Sequence, residues 1–113
     1  MPAAFKSTVS AAFLVAAAGS TLASESGLAS HYPASYEGRR TASGERFDPK
    51  AMTCAHKRYP FGVMLRVSIG ARAITCRVTD RGPFIRGRVL DLTPAAANAL
   101  GFSGLARVTI EPI

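Results

Sequence analysis

The most regular stretch of the chain is Ile74 to Thr79, where positions 74, 76 and 78 are apolar and 75, 77 and 79 are polar. A period of two is the mark of a half-buried strand. The same alternation occurs in Met64–Ile69, with Leu65, Val67 and Ile69 on one face, and in Ala106–Ile110, with Ala106, Val108 and Ile110 inward. Gly70-Ala71-Arg72 makes a tight connection between the first two, which predicts an antiparallel hairpin. Shorter segments read as strands over Leu28–Tyr32, closed by Pro33, over Met52–His56 and over Val89–Leu92. Ser24 to Gly27 reads as a polar lead-in. Thr93 as N-cap, Pro94 as first helical residue and Gly101 as terminator predict one short helix, Pro94–Leu100. Short strands, one helix and Gly/Pro turns predict a small closed or nearly closed barrel.

The amino end follows a different pattern. Lys6, the apolar run Ala11–Ala18 and the small residues Gly19 to Ala23 form the three-part pattern of a secretory signal peptide, with cleavage expected after Ala23. The apolar run is too short for a resident transmembrane helix. With no Cys near the cleavage site, the expected product is residues 24–113, periplasmic or secreted, without a stable membrane anchor. Fourteen Lys and Arg against seven acids give a net charge of +7 over 113 residues. A basic surface favours polyanionic partners. For an exported chain these are cell wall or outer-membrane polymers. Nucleic acid is not expected, because aromatic interleaving and zinc-finger spacing are both missing.

The even cysteine count, Cys54 and Cys76, favours a disulfide in an oxidising compartment. Zinc held by these two with His31 and His56 is an alternative without supporting spacing, and a Cys54 or Cys76 nucleophile paired with His56 is another. Asp80 is in phase with the apolar set of its strand, which predicts a carboxylate starting on the core side where the chain turns out. Such a group can act as a general acid or base, or simply cap the Arg81-Gly82-Pro83 turn. Arg39 to Pro49 is a polar surface loop with a single large apolar residue, Phe47, and it carries Glu45, either a second acid or a solvated side chain beside Arg46. His56 reads as a proton shuttle, a hydrogen-bonder or a core histidine. Asp91, just before the helix, is catalytic or a partner of the helix N-terminus. Tyr59 and Phe61 either stack on sugars or pack.

Four stretches together resemble one family. They are Gly27-Leu28-Ala29-Ser30-His31-Tyr32; Gly38 to Asp48; Met52 to Lys57 with Pro60-Phe61-Gly62; and Arg77-Val78-Thr79-Asp80-Arg81-Gly82-Pro83-Phe84 leading to Gly87-Arg88-Val89-Leu90-Asp91-Leu92. This is similar to the RlpA-like (rare lipoprotein A) family of cell-wall proteins. The resemblance implies a mainly β fold, a six-stranded double-psi β-barrel with one short helix, shared with expansins and barwin. It also implies an endolytic lytic transglycosylase that cuts MurNAc–GlcNAc bonds in peptide-poor peptidoglycan strands and leaves 1,6-anhydroMurNAc ends. Asp80, Glu45 and His56 occupy the family's functional positions, with Asp91 as the alternative acid. Arg39, Thr41, Arg81, Phe84 and Tyr32 are expected to contact substrate. Neither metal nor organic cofactor is expected, and a monomer is. Two departures stand out. His31 replaces a large aromatic, and Pro33 replaces a glycine. A non-catalytic expansin-like or barwin-like polysaccharide-binding module is the alternative function.

Overall fold

The computed structural model describes residues 24–113. The expected signal peptide, residues 1–23, lies outside the described residues. Six strands, β1 (Glu25–His31), β2 (Thr53–Ala55), β3 (Met64–Ile69), β4 (Arg72–Asp80), β5 (Arg88–Leu92) and β6 (Ala106–Pro112), close into a barrel in the order β1-β5-β2-β4-β3-β6. One helix, α1 (Pro94–Leu100), follows β5, and a 3-10 turn at Ala34–Tyr36 follows β1. Closure removes the free sheet edges that a small β domain would otherwise have to protect.

Only β3 and β4 lie beside a strand adjacent to them in the chain, and they form the expected hairpin, with Leu65 opposite Cys76 and Val67 opposite Ile74. The remaining neighbours come from distant parts of the sequence. β1 runs parallel to β5 and antiparallel to β6, and β2 runs parallel to β4 and antiparallel to β5. β1 begins at Glu25, not Leu28. The supposed lead-in is a strand because Glu25, Ser26 and Gly27 pair with Ile110, Thr109 and Val108. Gly27 is required there, since a Cβ would meet Val89 Cγ1 at 2.5 Å.

The inward residues form one core of Ala29, Cys54, Leu65, Val67, Cys76, Val78, Leu90, Leu92, Val108 and Ile110, to which α1 adds Ala96, Ala97 and Leu100. Each buried Leu, Ile or Val contributes roughly 1.5–3 kcal/mol. The helix ends are as the sequence predicts. Thr93 Oγ1 accepts from the Ala96 N–H at 3.2 Å, Pro94 opens the first turn, and Gly101 closes the last with φ 91°. Thr93 also donates to the Ala51 carbonyl at 2.6 Å, which ties the helix start to the segment before β2.

Cys54 and Cys76 form a disulfide inside the barrel between β2 and β4, with Cα atoms 5.8 Å apart. Both thiols are thereby consumed, so neither is a nucleophile or a metal-binding thiolate. β2 has only three residues, and the bond holds it to the long strand β4. Cross-linking residues 22 apart restricts the unfolded chain. Replacing both cysteines by Ala should therefore cost about 3 kcal/mol, read as a lower urea midpoint. Native protein should take up no alkylating label until it is reduced.

Candidate active site

The site begins with an irregularity in the pairing of β2 with β4. Thr53 faces Arg77 and Cys54 faces Val78, but Ala55 faces Asp80, so Thr79 is skipped. A bulge of this kind re-aims the side chains beyond it. Strict alternation predicts that Asp80 points to the core, and the bulge corrects this. Asp80 shares a rung with Ala55, Ala55 with Asp91, and Asp91 with Ser30. Paired residues across a pleated sheet present their side chains to the same side. That side is the outer wall, because Cys54, Val78 and Leu92 on the next rung belong to the core. Asp80 and Asp91 thus stand on one outer rung, two strand spacings or roughly 10 Å apart at Cα.

Three donors from separated parts of the chain hold the Asp80 carboxylate: Tyr32 Oη to Oδ2 at 2.5 Å, the Ala42 N–H to Oδ1 at 2.8 Å and the Arg81 N–H to Oδ1 at 3.0 Å. A carboxylate offers about four acceptor positions. Oδ1 is filled by its two amides, and one position on Oδ2 is left for an incoming group. The turn-capping role expected of Asp80 is present in its bond from the Arg81 N–H. Burial pushes the Tyr32 hydroxyl well above the ordinary tyrosine range, and the bond to Asp80 and the charges of Asp80 and Asp91 add to this. Tyr32 therefore remains a hydrogen-bond donor across the working pH range. Asp91 accepts a hydrogen bond from Ser30 Oγ.

The Arg39–Pro49 loop is more ordered than its composition suggests. It forms a small flap, with Arg40 bridged to Arg46, the Phe47 N–H on the Arg39 carbonyl at 2.7 Å and the Thr41 N–H on the Glu45 carbonyl at 2.8 Å. Thr41 Oγ1 donates to the same Glu45 carbonyl. Phe47, 5% exposed, is the anchor, its ring 4.7 Å from that of Tyr32. The Ser43 N–H donates to the Thr79 carbonyl at 3.1 Å, which seats the flap over the end of β4 and brings Ala42 to Asp80. Thr79, polar by pattern, is buried beneath it.

Glu45 lies on the flap and faces Arg77, which the sequence did not single out. Arg77 donates to both carboxylate oxygens, at 2.5 and 3.0 Å. This bond pulls the Glu45 carboxyl below the ordinary glutamate range and raises Arg77. Glu45 and Arg77 line a cleft of about 290 Å³ together with Thr41, Arg46, Phe47, Asp48, Thr53 and Thr79. Glu45 is ionised at neutral pH.

His56 is fully buried, and its ring lies 4.2 Å from that of Tyr59. Nδ1 receives the N–H groups of Arg58 and Tyr59 at 3.0 and 3.1 Å, so the ring proton belongs on Nε2, which donates to Glu25 Oε1 at 2.7 Å. The His56 N–H also donates to the Asp80 carbonyl at 3.2 Å. The histidine therefore braces the backbone of Asp80, while its imidazole faces Glu25. Glu25 was hidden in the supposed lead-in, and its carboxylate also meets Arg58 at 3.6 Å.

Arg81 folds back to donate to the carbonyls of His56 and Tyr59, at 3.1 and 2.9 Å, over the Phe61 ring at 4.1 Å. Arg39 lies 4.0 Å over Tyr36, and Phe84 stands 79% exposed on the turn after Asp80. His31 accepts from the Gly104 N–H and meets Phe102 edge-on, lining a second cleft of about 680 Å³ beside α1.

A family model described as lytic transglycolase matches residues 24–111. The chain belongs to the lytic transglycolase family. Among sequence relatives, the "Probable endolytic peptidoglycan transglycosylase RlpA" of Nostoc sp. is 50% identical over 91 residues, covering 75% of this chain and 24% of that protein. The "Endolytic peptidoglycan transglycosylase RlpA" of Yersinia pestis is 46% identical over 90 residues, covering 78% and 25%. The chain thus spans about a quarter of the length of these two relatives. Among solved structures, the Streptomyces papain inhibitor superposes with a TM-score of 0.65 at 22% identity, over 80% of this chain and 94% of that one. The expansin of Clavibacter michiganensis gives 0.63 at 22%, over 80% and 50%. These likenesses establish the double-psi barrel fold.

Two outcomes follow from this geometry. Phe47→Ala should cost about 3 kcal/mol and speed amide exchange at Ala42 and Ser43, since the flap loses its anchor. The Glu45 carboxyl is lowered in the folded state, so the stabilisation from its pairing with Arg77 is present above the unfolded glutamate value. That stabilisation is lost as pH falls through the folded value. Carboxyl NMR titration should place Glu45 below the ordinary glutamate value of about 4.3, and Arg77→Gln should return it there.

Proposed function

We propose that this domain is an endolytic lytic transglycosylase acting on the MurNAc–GlcNAc bonds of peptide-poor peptidoglycan strands, with Asp80 as its acid and base. The observation that carries the proposal is the Asp80 carboxylate, fixed by three donors, two on Oδ1 and one on Oδ2. The names of the relatives, endolytic peptidoglycan transglycosylases, supply the substrate class.

The reaction needs one carboxyl in two successive roles. Protonated Asp80 gives its proton to the glycosidic oxygen as the C1–O bond breaks, and GlcNAc leaves with a free 4-hydroxyl. The resulting carboxylate takes the proton of the muramic C6 hydroxyl as O6 bonds to C1, which closes the anhydro ring without water and restores the acid. Tyr32 holds Oδ2 in place through both stages. Glu45, kept ionised by Arg77, contributes negative charge near the anomeric carbon as positive charge develops there. His56 is a positioning residue, bracing the Asp80 backbone from behind. Asp91 is the alternative acid on the same rung. Arg39, Thr41 and Phe84 border the path of the strand. The signal peptide delivers the domain to the periplasm or the exterior, where it works as a monomer.

Asp80→Asn keeps an acceptor for the Ala42 and Arg81 amides, and its side-chain NH2 can donate to the Tyr32 hydroxyl, but it cannot cycle a proton. It should retain the fold and glycan binding and lose at least about 100-fold in formation of anhydroMurNAc ends, measured by mass spectrometry on peptide-free strands. Unchanged product formation would remove Asp80 from the role. Retained glycan binding with no product from the unaltered domain would favour a polysaccharide-binding module.

A further inference from the structure

Arg77 projects from the outer wall of β4 three residues before Asp80, roughly 10 Å along the strand, close enough for one bound chain to touch both. Its guanidinium already presents a flat fork to a carboxylate, that of Glu45, in the cleft lined by Thr41, Thr53 and Thr79. The pair uses two of the five N–H donors of the guanidinium, and the others remain for a second acceptor. Both partners are substantially exposed, at 40% and 48%, and exposed ion pairs hold weakly, so an incoming carboxylate can share or take over the fork. Arg is the residue whose geometry matches a carboxylate in two parallel bonds, which an amide cannot reproduce.

We propose that Arg77 reads the free lactyl carboxylate of a muramic acid residue, so that the cleft discriminates peptide-free strands from those whose lactyl group is tied up in an amide to a stem peptide. The inference rests on the proposed action on peptidoglycan and deepens it. It gives a physical cause for a preference for bare glycan, because attaching a peptide removes the charge and one of the two acceptor oxygens that the fork requires. Glu45 then has a second effect. As the resident carboxylate it competes for the fork, so only a substrate that also binds elsewhere along the wall displaces it.

The test measures binding separately from cleavage. In the Asp80→Asn domain at neutral pH, calorimetry compares a peptide-free GlcNAc–MurNAc oligosaccharide with the same oligosaccharide whose lactyl carboxylates have been converted to methylamides. The free acid should bind about tenfold more tightly. Adding Arg77→Gln should bring the two ligands within about twofold of each other, mainly by weakening the free acid. Adding Glu45→Gln instead should tighten the free acid, because a neutral amide competes poorly for the fork. A merely structural ion pair would give no such opposite responses. If the Asp80→Asn domain binds both ligands equally, or if the tenfold preference survives Arg77→Gln, Arg77 does not read the carboxylate and the glycan reading stands. If the domain binds neither ligand and the unaltered protein cleaves neither, the peptidoglycan reading falls and this inference falls with it.

Discussion

The site depends on one carboxylate being held by three parts of the chain, two of them remote from it in sequence. Asp80 receives the Tyr32 hydroxyl from just beyond β1, the Ala42 amide from the flap and the Arg81 amide from its own turn. Each donor requires a separate piece of the fold. Tyr32 is placed by β1 and packed by Phe47, and Ala42 by the flap that Phe47 anchors. The carboxylate cannot rotate freely while these hold, so its geometry is set before any ligand arrives.

A second layer keeps the end of β4 where it is. His56 hydrogen-bonds through its backbone to Asp80 and through its ring to Glu25, at the start of β1. Arg81 spans from the same turn to the carbonyls of His56 and Tyr59. A buried imidazole with both nitrogens engaged and a guanidinium with carbonyl partners satisfy the polar groups that the barrel end would otherwise bury unpaired. These residues look like site chemistry in a linear reading. In the folded chain the His56 ring meets Glu25 and the Arg81 guanidinium meets the carbonyls of His56 and Tyr59, whereas Arg77, an ordinary polar position in an alternating strand, faces the cleft beside Asp80.

Local patterns identified much of this architecture. The α1 boundaries were legible because a cap, a proline and a glycine are local conformational signals. The β3–β4 hairpin was legible because alternation and a short connection act over a few residues. Phe47 stood out as the one large apolar residue of a polar loop, but its place against Tyr32 is a tertiary contact that composition does not show. Glu25 as a strand residue was not legible, because its reason for being extended is Ile110 on the far side of the sequence. The skipped Thr79 was not legible either, since a bulge is a relation between two strands.

The amino-acid sequence by itself determined the core of each strand, where the helix starts and stops, that Cys54 and Cys76 suit a disulfide, and which acids stand at the barrel's turns. These properties follow from side-chain periodicity, backbone preference and residue chemistry over short spans. Tertiary structure alone decided that β2 lies between β4 and β5, that the bulge turns Asp80 to the outer wall on one rung with Asp91, and that Arg77 meets Glu45. Every barrel seam except β3–β4 joins strands that are not neighbours in the chain, and register between such strands is set by closure and packing of the whole core.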